Sequence, residues 1–232
     1  MKPPGDMGPP PTRSVFRLGH FRYSAIELLV VLLLLFFTIP FVEDLPQGDL
    51  VDSVLLTTVM VSAVVAVGGQ RRNMIVALVL VIPALACKWA NYFRPDLVPA
   101  TAYLVAAIVF FIFVVARLVW FVLHAPKVDA NVLCAGLSGY LMLGLLWIPA
   151  YVLISQISPG AFSYTVSCAM KGFDALYFSF ITLLCTAGYG DIMPVSRAAR
   201  VLVIMQSIAG IFYMTVLLAR LVAMYSGRKS PD

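Results

Sequence analysis

Six consecutive residues in the last third of the chain could bind a cation that has lost its water. A dehydrated cation needs a substitute shell of oxygens. Consecutive backbone carbonyls can supply that shell if left-handed and right-handed dihedrals alternate, which favours glycine. The stretch with glycine at alternate positions is Thr186, Ala187, Gly188, Tyr189, Gly190 and Asp191. If four chains met on one axis, the carbonyls of 186–189 would form stacked rings, with the Thr186 hydroxyl as the innermost one. A plain turn is the alternative, because a short Gly-rich match alone is weak evidence.

The residues before this stretch indicate how it would be held. Residues 173–185 are apolar, but they are too few to cross a membrane, which takes roughly 20 residues. They lie between two much longer apolar segments, 131–155 and 195–225. Irregular backbone at membrane depth is tolerated only where it is buried in protein or lines a water-filled path. The pattern therefore predicts a short re-entrant helix that delivers 186–191 into a pore.

The composition indicates a membrane protein. Of the 232 residues, 62% are hydrophobic and 12% are charged, against about 45–50% and about 25% in soluble domains. We expect an all-α integral membrane fold with six transmembrane helices, a re-entrant pore helix and a filter. The predicted spans are 23–42, 50–69, 74–90, 98–123, 131–155 and 195–225.

The distribution of basic residues predicts the orientation. The segments that share a side with both termini carry eleven Lys and Arg residues, and the opposite side carries five. Basic residues concentrate in short cytoplasmic loops. We therefore expect a multi-pass protein of the cell membrane with both termini in the cytoplasm. Residues 1–22 are predicted to be a disordered cytoplasmic tail, and 226–232 a short second tail, so no soluble partner domain is expected.

The segment from Phe173 to Pro194 resembles the signature of tetrameric potassium channels, in which four TVGYG loops form the filter. The phrases at 175–194 and 210–222 also resemble bacterial six-helix relatives that lack ligand-binding domains. The resemblance covers 131–225 and implies a pore module of outer helix, pore helix 173–185, filter 186–191 and inner helix 195–225. It implies a homotetramer that conducts potassium passively, with K⁺ as the permeant ligand at Thr186, Ala187, Gly188 and Tyr189. No cofactor and no enzymatic activity are expected.

Three features depart from the pattern of the family. Ala187 replaces a usual Val, Cys185 replaces a common Thr, and no Trp occurs in the pore helix, where Tyr177 and Phe178 stand. The Gly-Tyr-Gly core is intact, which favours potassium selectivity. Because Ala187 gives its own carbonyl less packing support, a weakly selective monovalent cation channel of the same architecture is the alternative.

One face of the last helix is predicted to line the inner cavity. Ser207, Ile211, Met214 and Leu218 recur at helical spacing. We assign this face to the cavity and its gate, although packing against 131–155 would produce the same periodicity. Gly210 stands where relatives keep a hinge glycine, and a close-packing role is the alternative.

The first four spans, 23–124, resemble a voltage-sensor domain without its charges. Steep voltage gating needs about 3–4 charges per subunit, whereas Arg117 is the only arginine in 98–123. We therefore do not expect steep voltage gating.

Glu27 and Arg117 are ionisable residues within spans, and intramembrane charges are usually paired. We predict that these two residues pair, with separate snorkelling to the interface as the alternative.

The remaining features exclude other classes of protein. The basic residues form no stripe with interleaved aromatics, so nucleic acid is not an expected partner; membrane lipids are. A secondary transporter would show paired broken helices in two halves, and this chain has one predicted re-entrant segment.

Two further residues are expected on the outer side. Asp191 is expected at the pore mouth, where it either concentrates cations or braces the loop. Cys168 falls on the predicted outer side, and the sequence leaves both a free thiol and an inter-subunit disulfide open.

Overall fold

The structure is a computed structural model that describes residues 21–42, 48–69, 71–94, 99–125, 129–165, 170, 172–185 and 190–226. Within these residues the chain forms seven α-helices and one small sheet. The helices are α1 (Phe21–Val42), α2 (Gly48–Val67), α3 (Arg71–Phe93), α4 (Ala100–His124), α5 (Ala130–Ile157), α6 (Gly172–Cys185) and α7 (Arg197–Ser226). The strands are β1 (Phe162–Tyr164) and β2 (Ile192–Pro194).

Six of these helices, all except α6, are long and apolar enough to cross a membrane. The prediction of a multi-pass membrane protein with several long apolar helices is therefore supported. Several helices extend beyond the predicted spans, and α3 begins with Arg71 and Arg72 rather than at Met74. Hydropathy marks only the apolar part of a helix, so charged terminal turns escape a prediction based on it.

The helices divide into a four-helix group, α1 to α4, and a second group, α5 to α7, which we call the pore-side group after its predicted role. Helices α1 to α4 pack on one another, and α5 packs on both α4 and α1 of the same chain. Only residues 125–129 connect α4 to α5, so these two helices form an antiparallel hairpin. Near the start of α1, the Ala25 carbonyl accepts a hydrogen bond from Ser138 of α5 over 3.4 Å. The four-helix group thus rests on the outer helix of its own chain.

The sheet is a difference from the expected all-α fold. β1 and β2 pair antiparallel, with Ser163 opposite Met193. Three-residue strands carry too little alternation to be recognised by period. The sheet also moves the start of α7 from the predicted Val195 to Arg197, because β2 ends at Pro194 and Ser196 caps the helix. The Ser196 hydroxyl accepts a hydrogen bond from the Ala199 amide over 3.1 Å.

We call the end of the helical layer that holds β1 and β2 the sheet side, and the opposite end the terminus side. A main apolar core joins α1–α5 with Leu176 and Leu183 of α6. A smaller core lies under the sheet and contains Tyr151, Phe162 and Phe178. The second core fixes the sheet to α5 and α6.

Candidate functional site

Helix α6 lies where the sequence predicts a short helix before the filter, and its re-entry into the membrane stays a prediction. It has 14 residues, about 21 Å at 1.5 Å per residue, which is less than a bilayer core. Its first residue, Gly172, has φ of 54°, a conformation that glycine adopts readily. Asp174 lies in the first turn, where a carboxylate is stabilised by the positive end of the helix dipole. The helix lies between α5 and α7.

The predicted filter falls largely outside the described residues. Thr186, Ala187, Gly188 and Tyr189 are not among them, so their stacked carbonyls and the K⁺ sites stay a prediction. The structure describes both ends of this segment: α6 ends at Cys185, and the chain resumes at Gly190. Gly190 has φ of 91°, in the left-handed range that the filter hypothesis requires of its glycines.

The chain that leaves the predicted filter is fastened to β1. The Thr165 amide donates to the Asp191 carbonyl over 2.9 Å. The Thr165 hydroxyl donates to the Gly190 carbonyl over 3.3 Å. The Asp191 side chain is exposed, and within the described part of the chain its carboxylate makes no hydrogen bond. The backbone of Asp191 therefore braces this segment, and the role of its exposed carboxylate at a pore mouth stays a prediction.

Tyr164 connects the sheet to the segment before α6. Burial raises the pKa of the Tyr164 phenol above its usual value, a backbone hydrogen bond at Met170 lowers it, and the Asp174 carboxylate raises it further. Because the net shift is upward, the phenol stays protonated at neutral pH. This contact holds the approach to α6 against β1.

A buried polar network joins α5, α6 and α7 in the middle of the pore-side group. The Gln206 amide donates to the Ser179 carbonyl over 2.8 Å and to the Ser179 hydroxyl oxygen over 2.9 Å. The Ser179 hydroxyl donates to the Gly144 carbonyl over 2.7 Å. The Tyr151 hydroxyl donates to the side-chain oxygen of Gln206. Gln206, Ser179 and Tyr151 are all fully buried.

This network sets the rotation of α6. A buried polar group without a partner costs about 1–3 kcal/mol, and here each amide and hydroxyl group of the three side chains has one. Turning α6 would separate Ser179 from both Gly144 and Gln206. The three helices are therefore held in one arrangement by directional bonds in addition to apolar packing.

The last turn of α6 is held separately. The Tyr140 hydroxyl of α5 donates to the Leu183 carbonyl over 3.3 Å. From the other side, Gly210 of α7 lies so close that a Cβ there would be 2.7 Å from Leu183 Cδ1 and 3.3 Å from the Leu183 carbonyl oxygen. Two roles were considered for Gly210, a hinge and a site of close packing, and the structure supports close packing. The point where the predicted filter begins is thus fixed by both neighbouring helices.

Phe180 connects α6 to the four-helix group. Its ring lies against Gly144, where a Cβ would overlap it. It also forms an edge-to-face pair with Phe36 of α1, with 4.5 Å between ring centroids. A displacement of α1 would therefore reach α6 through direct contact.

The predicted inner-cavity residues are not used for packing on α5. Helix α7 meets α5 through Tyr213 and Leu217, which lie against Gly139 and Gly136. Ile211, Met214 and Leu218 are 57%, 49% and 64% exposed in the single chain. Within the single chain these three residues therefore do not pack against 131–155, and their place in an inner cavity stays a prediction. Ser207 differs from them, since its hydroxyl donates to the Val203 carbonyl of its own helix over 3.0 Å.

The predicted pairing of Glu27 with Arg117 is wrong. Among the residues that the structure describes, the one ion pair joins Lys88 to Asp52. Glu27 is exposed on α1. The Arg117 guanidinium lies over the Trp120 ring, with its Cζ 4.8 Å from the ring centroid. Arg117 thus makes a cation–π contact with a ring one turn away on its own helix instead of pairing with a carboxylate. Spacing along the sequence could not reveal this choice of partner.

A double-mutant cycle checks this correction. We expect Glu27→Gln and Arg117→Gln to change thermal stability independently, with a coupling energy below about 0.5 kcal/mol, as for residues without contact. The measurement is the melting temperature of the four proteins in one detergent. A coupling energy above about 1 kcal/mol would restore the pair.

Sequence reasoning missed Gln206, Ser179, Tyr151 and Tyr140. A signal existed for the first of them, because Gln206 is an amide in the apolar middle of a span, and polar side chains inside membrane helices usually face a protein partner. The partners could not be predicted, since they lie 27 and 55 residues away on other helices.

The state of Cys168, a free thiol or an inter-subunit disulfide, stays open, because this residue lies outside the described residues. In the described part of the chain Cys87 and Cys134 are free.

Comparison with known proteins agrees with this geometry. Residues 138–226 match a protein family described as "Ion channel". No curated protein and no solved structure matches the chain. The matched residues contain most of α5, the whole of α6 and α7, and the polar network that joins them. Residues 138–226 are therefore similar to an ion-channel domain, and the long apolar helices of the chain fit a multi-pass membrane protein.

Proposed function

We propose that this chain is one subunit of a homotetrameric potassium channel, with Thr186, Ala187, Gly188, Tyr189 and Gly190 as its selectivity filter. The proposal is supported by the match to an ion-channel domain and by the Gly-Tyr-Gly core. The negative end of the α6 dipole would lie next to the filter entrance and favour a cation there, by about 0.3–1 kcal/mol per helix. Potassium moves down its gradient, and no bond is made or broken.

The observation that carries the proposal is that both ends of 186–189 are held by directional contacts. Tyr140 and Gly210 fix the last turn of α6 at Leu183, and Thr165 fixes Gly190 and Asp191 through their carbonyls. A carbonyl-lined filter requires such support, because its oxygens must stay at the spacing of a dehydrated ion. A solvated glycine turn would need no such fixation at both ends.

A tetramer is supported by the surface of α7. Only 11% of the apolar stretch of α7 is buried in the single chain, and many of its exposed residues are large and apolar. A helix of that kind is normally surrounded by protein or lipid. One filter segment per chain cannot close a ring around an ion. Four copies would bring α7 helices around a central cavity lined by Ser207, Ile211, Met214 and Leu218.

Gating by voltage is not part of the proposal. The one arginine of α4, Arg117, is occupied by Trp120 near the terminus side, and one charge per subunit falls short of the about 3–4 that steep gating uses. The four-helix group instead supports α5 and, through Phe36, α6.

The proposed orientation follows from the charge distribution of the loops. It places both termini in the cytoplasm and the sheet side outside.

The proposal is tested by ion flux in liposomes. Purified protein is reconstituted, and K⁺ and Na⁺ efflux are measured with and without external barium. We expect K⁺ efflux well above that of empty liposomes, block by barium, and Na⁺ efflux at least tenfold smaller. Equal K⁺ and Na⁺ flux would refute potassium selectivity, and the absence of any cation flux from folded tetramer would refute the channel.

A weakly selective cation channel is the second candidate, and Ala187 is the residue that favours it. Alanine has less side-chain surface than the usual valine to hold its carbonyl in place. Reversal potentials in mixed K⁺ and Na⁺ distinguish the two candidates. In a weakly selective channel, Ala187→Val would shift the reversal potential toward that of potassium, whereas in a selective channel it would leave the value unchanged.

A further inference from the structure

A cavity lies between the four-helix group and the start of the pore helix. Its volume is about 670 Å³, within the about 300–1,000 Å³ of small-molecule sites. All six helices from α1 to α6 contribute to its wall. The residues involved lie toward the sheet-side ends of these helices, and the cavity is not closed off from its surroundings.

The outer part of this cavity is polar. Lys88 and Asp52 line it and form an ion pair, with 3.4 Å between Nζ and Oδ2. The Lys88 side chain is 15% exposed and that of Asp52 is 46% exposed. Asn91 and Tyr103 line the same region. A cation and an anion are thus presented side by side, and both can accept a further partner, since an ammonium has three donors and a carboxylate about four acceptor positions.

The inner part of the cavity is apolar. Met60 lies eight residues beyond Asp52 on α2, so the cavity reaches about 12 Å deeper along that helix at 1.5 Å per residue. The walls at this depth are Leu35, Leu56, Phe111, Leu145 and Leu176. The cavity therefore has a charged mouth and an apolar interior, which matches an amphipathic molecule.

We propose that this cavity binds one phospholipid molecule per chain, with a zwitterionic headgroup at Lys88 and Asp52 and an acyl chain against the apolar walls. The phosphate of such a headgroup complements Lys88, and its ammonium complements Asp52. The choice of a lipid follows from the helices around the cavity, because five of the six are long and apolar enough to cross a membrane, where lipid is the surrounding solvent.

The bound lipid would connect the two halves of the chain. Gly172, Phe173 and Leu176, from the first two turns of α6, form part of the wall, and Asp52 and Lys88 belong to the four-helix group. A lipid in the cavity would contact both the start of α6 and the four-helix group, and it would fill the space between them. The proposal requires a membrane protein but does not rest on potassium selectivity.

Native mass spectrometry of the purified oligomer tests this site. The protein is exchanged into liposomes of phosphatidylethanolamine and phosphatidylglycerol, extracted mildly, and its retained lipids are counted. Ala84 is 2% exposed and lines the cavity, so Ala84→Phe fills it. Ala86 is exposed on the same helix, away from the cavity, so Ala86→Phe is the matched control. We expect one lipid per chain for the wild type and the control, and at least a fivefold loss for Ala84→Phe.

A second variant tests the role of the ion pair without filling the cavity. Asp52→Asn removes the partner of the headgroup ammonium, so we expect the preference for phosphatidylethanolamine over phosphatidylglycerol to fall at least fivefold, with the lipid count unchanged. Equal lipid retention by Ala84→Phe and Ala86→Phe would overturn the site. An unchanged headgroup preference in Asp52→Asn would overturn the assignment of the headgroup. Neither readout depends on ion flux, so these failures are distinct from failure of the channel proposal.

Discussion

Replacing Gly190 by alanine is expected to reduce K⁺ flux at least tenfold while the protein still assembles. Gly190 has φ of 91°, and an L-residue with a left-handed backbone costs roughly 1–2 kcal/mol. Open space surrounds a Cβ at this position, so the cost is conformational rather than steric. The strain is relieved most easily by rotating the adjoining peptide, which in the proposed tetramer would move a carbonyl of the proposed filter in every subunit. The measurement is K⁺ efflux from liposomes.

Gly160 provides a matched control for this variant. It has φ of 87° and the same open surroundings for a Cβ, but it lies in the connection between α5 and β1. Gly160→Ala therefore imposes a similar strain outside the filter, and we expect it to lower stability slightly while K⁺ flux stays near the wild-type value. If both variants lost flux equally, the effect would report general destabilisation, and Gly190 would have no special role.

Replacing Gln206 by leucine is expected to destabilise the pore-side group by about 1–3 kcal/mol per chain. The change leaves the Tyr151 hydroxyl without its buried acceptor and removes both bonds that Gln206 donates to Ser179. The lower part of this range is expected, because membrane helices find substitute partners when they separate. Since the network sets the rotation of α6, we also expect K⁺ over Na⁺ selectivity to fall. The measurements are the melting temperature of the oligomer and the reversal potential in mixed ions.

Gln156 is the control for this substitution. It is exposed at the end of α5, so Gln156→Leu makes the same chemical change without removing a buried hydrogen bond. We expect its melting temperature and reversal potential to match the wild type. If Gln206→Leu behaved like Gln156→Leu in both measurements, the network would not position the pore helix.

The parts of the fold that could be predicted are those that hydropathy alone determines. The short helix was predicted at 173–185 and is found at Gly172–Cys185, because a 13-residue apolar stretch flanked by glycines leaves few choices. The long helices were predicted for the same reason. Their charged ends at Arg71 and Arg72 were missed, since a helix continues past its apolar part.

The parts that could not be predicted depend on which helix faces become neighbours. The β1–β2 sheet joins residues 162–164 to 192–194 across the whole of α6, and no local pattern encodes that pairing. Gln206 meets Ser179 and Tyr151 only after three helices pack. The proposed Glu27–Arg117 pair failed for the same reason, because the guanidinium of Arg117 lies over the ring of Trp120. The carbonyl stack of residues 186–189 stays a prediction.

The central claim is tested most directly by locating the ions themselves. Crystals of the tetramer are soaked in thallium or rubidium, which substitute for potassium, and anomalous scattering reports their positions. Our proposal requires a column of anomalous peaks on the fourfold axis, each surrounded by the main-chain oxygens of residues 186–189. A fourfold axis without such peaks, with Gly188 and Tyr189 turned toward lipid, would contradict it.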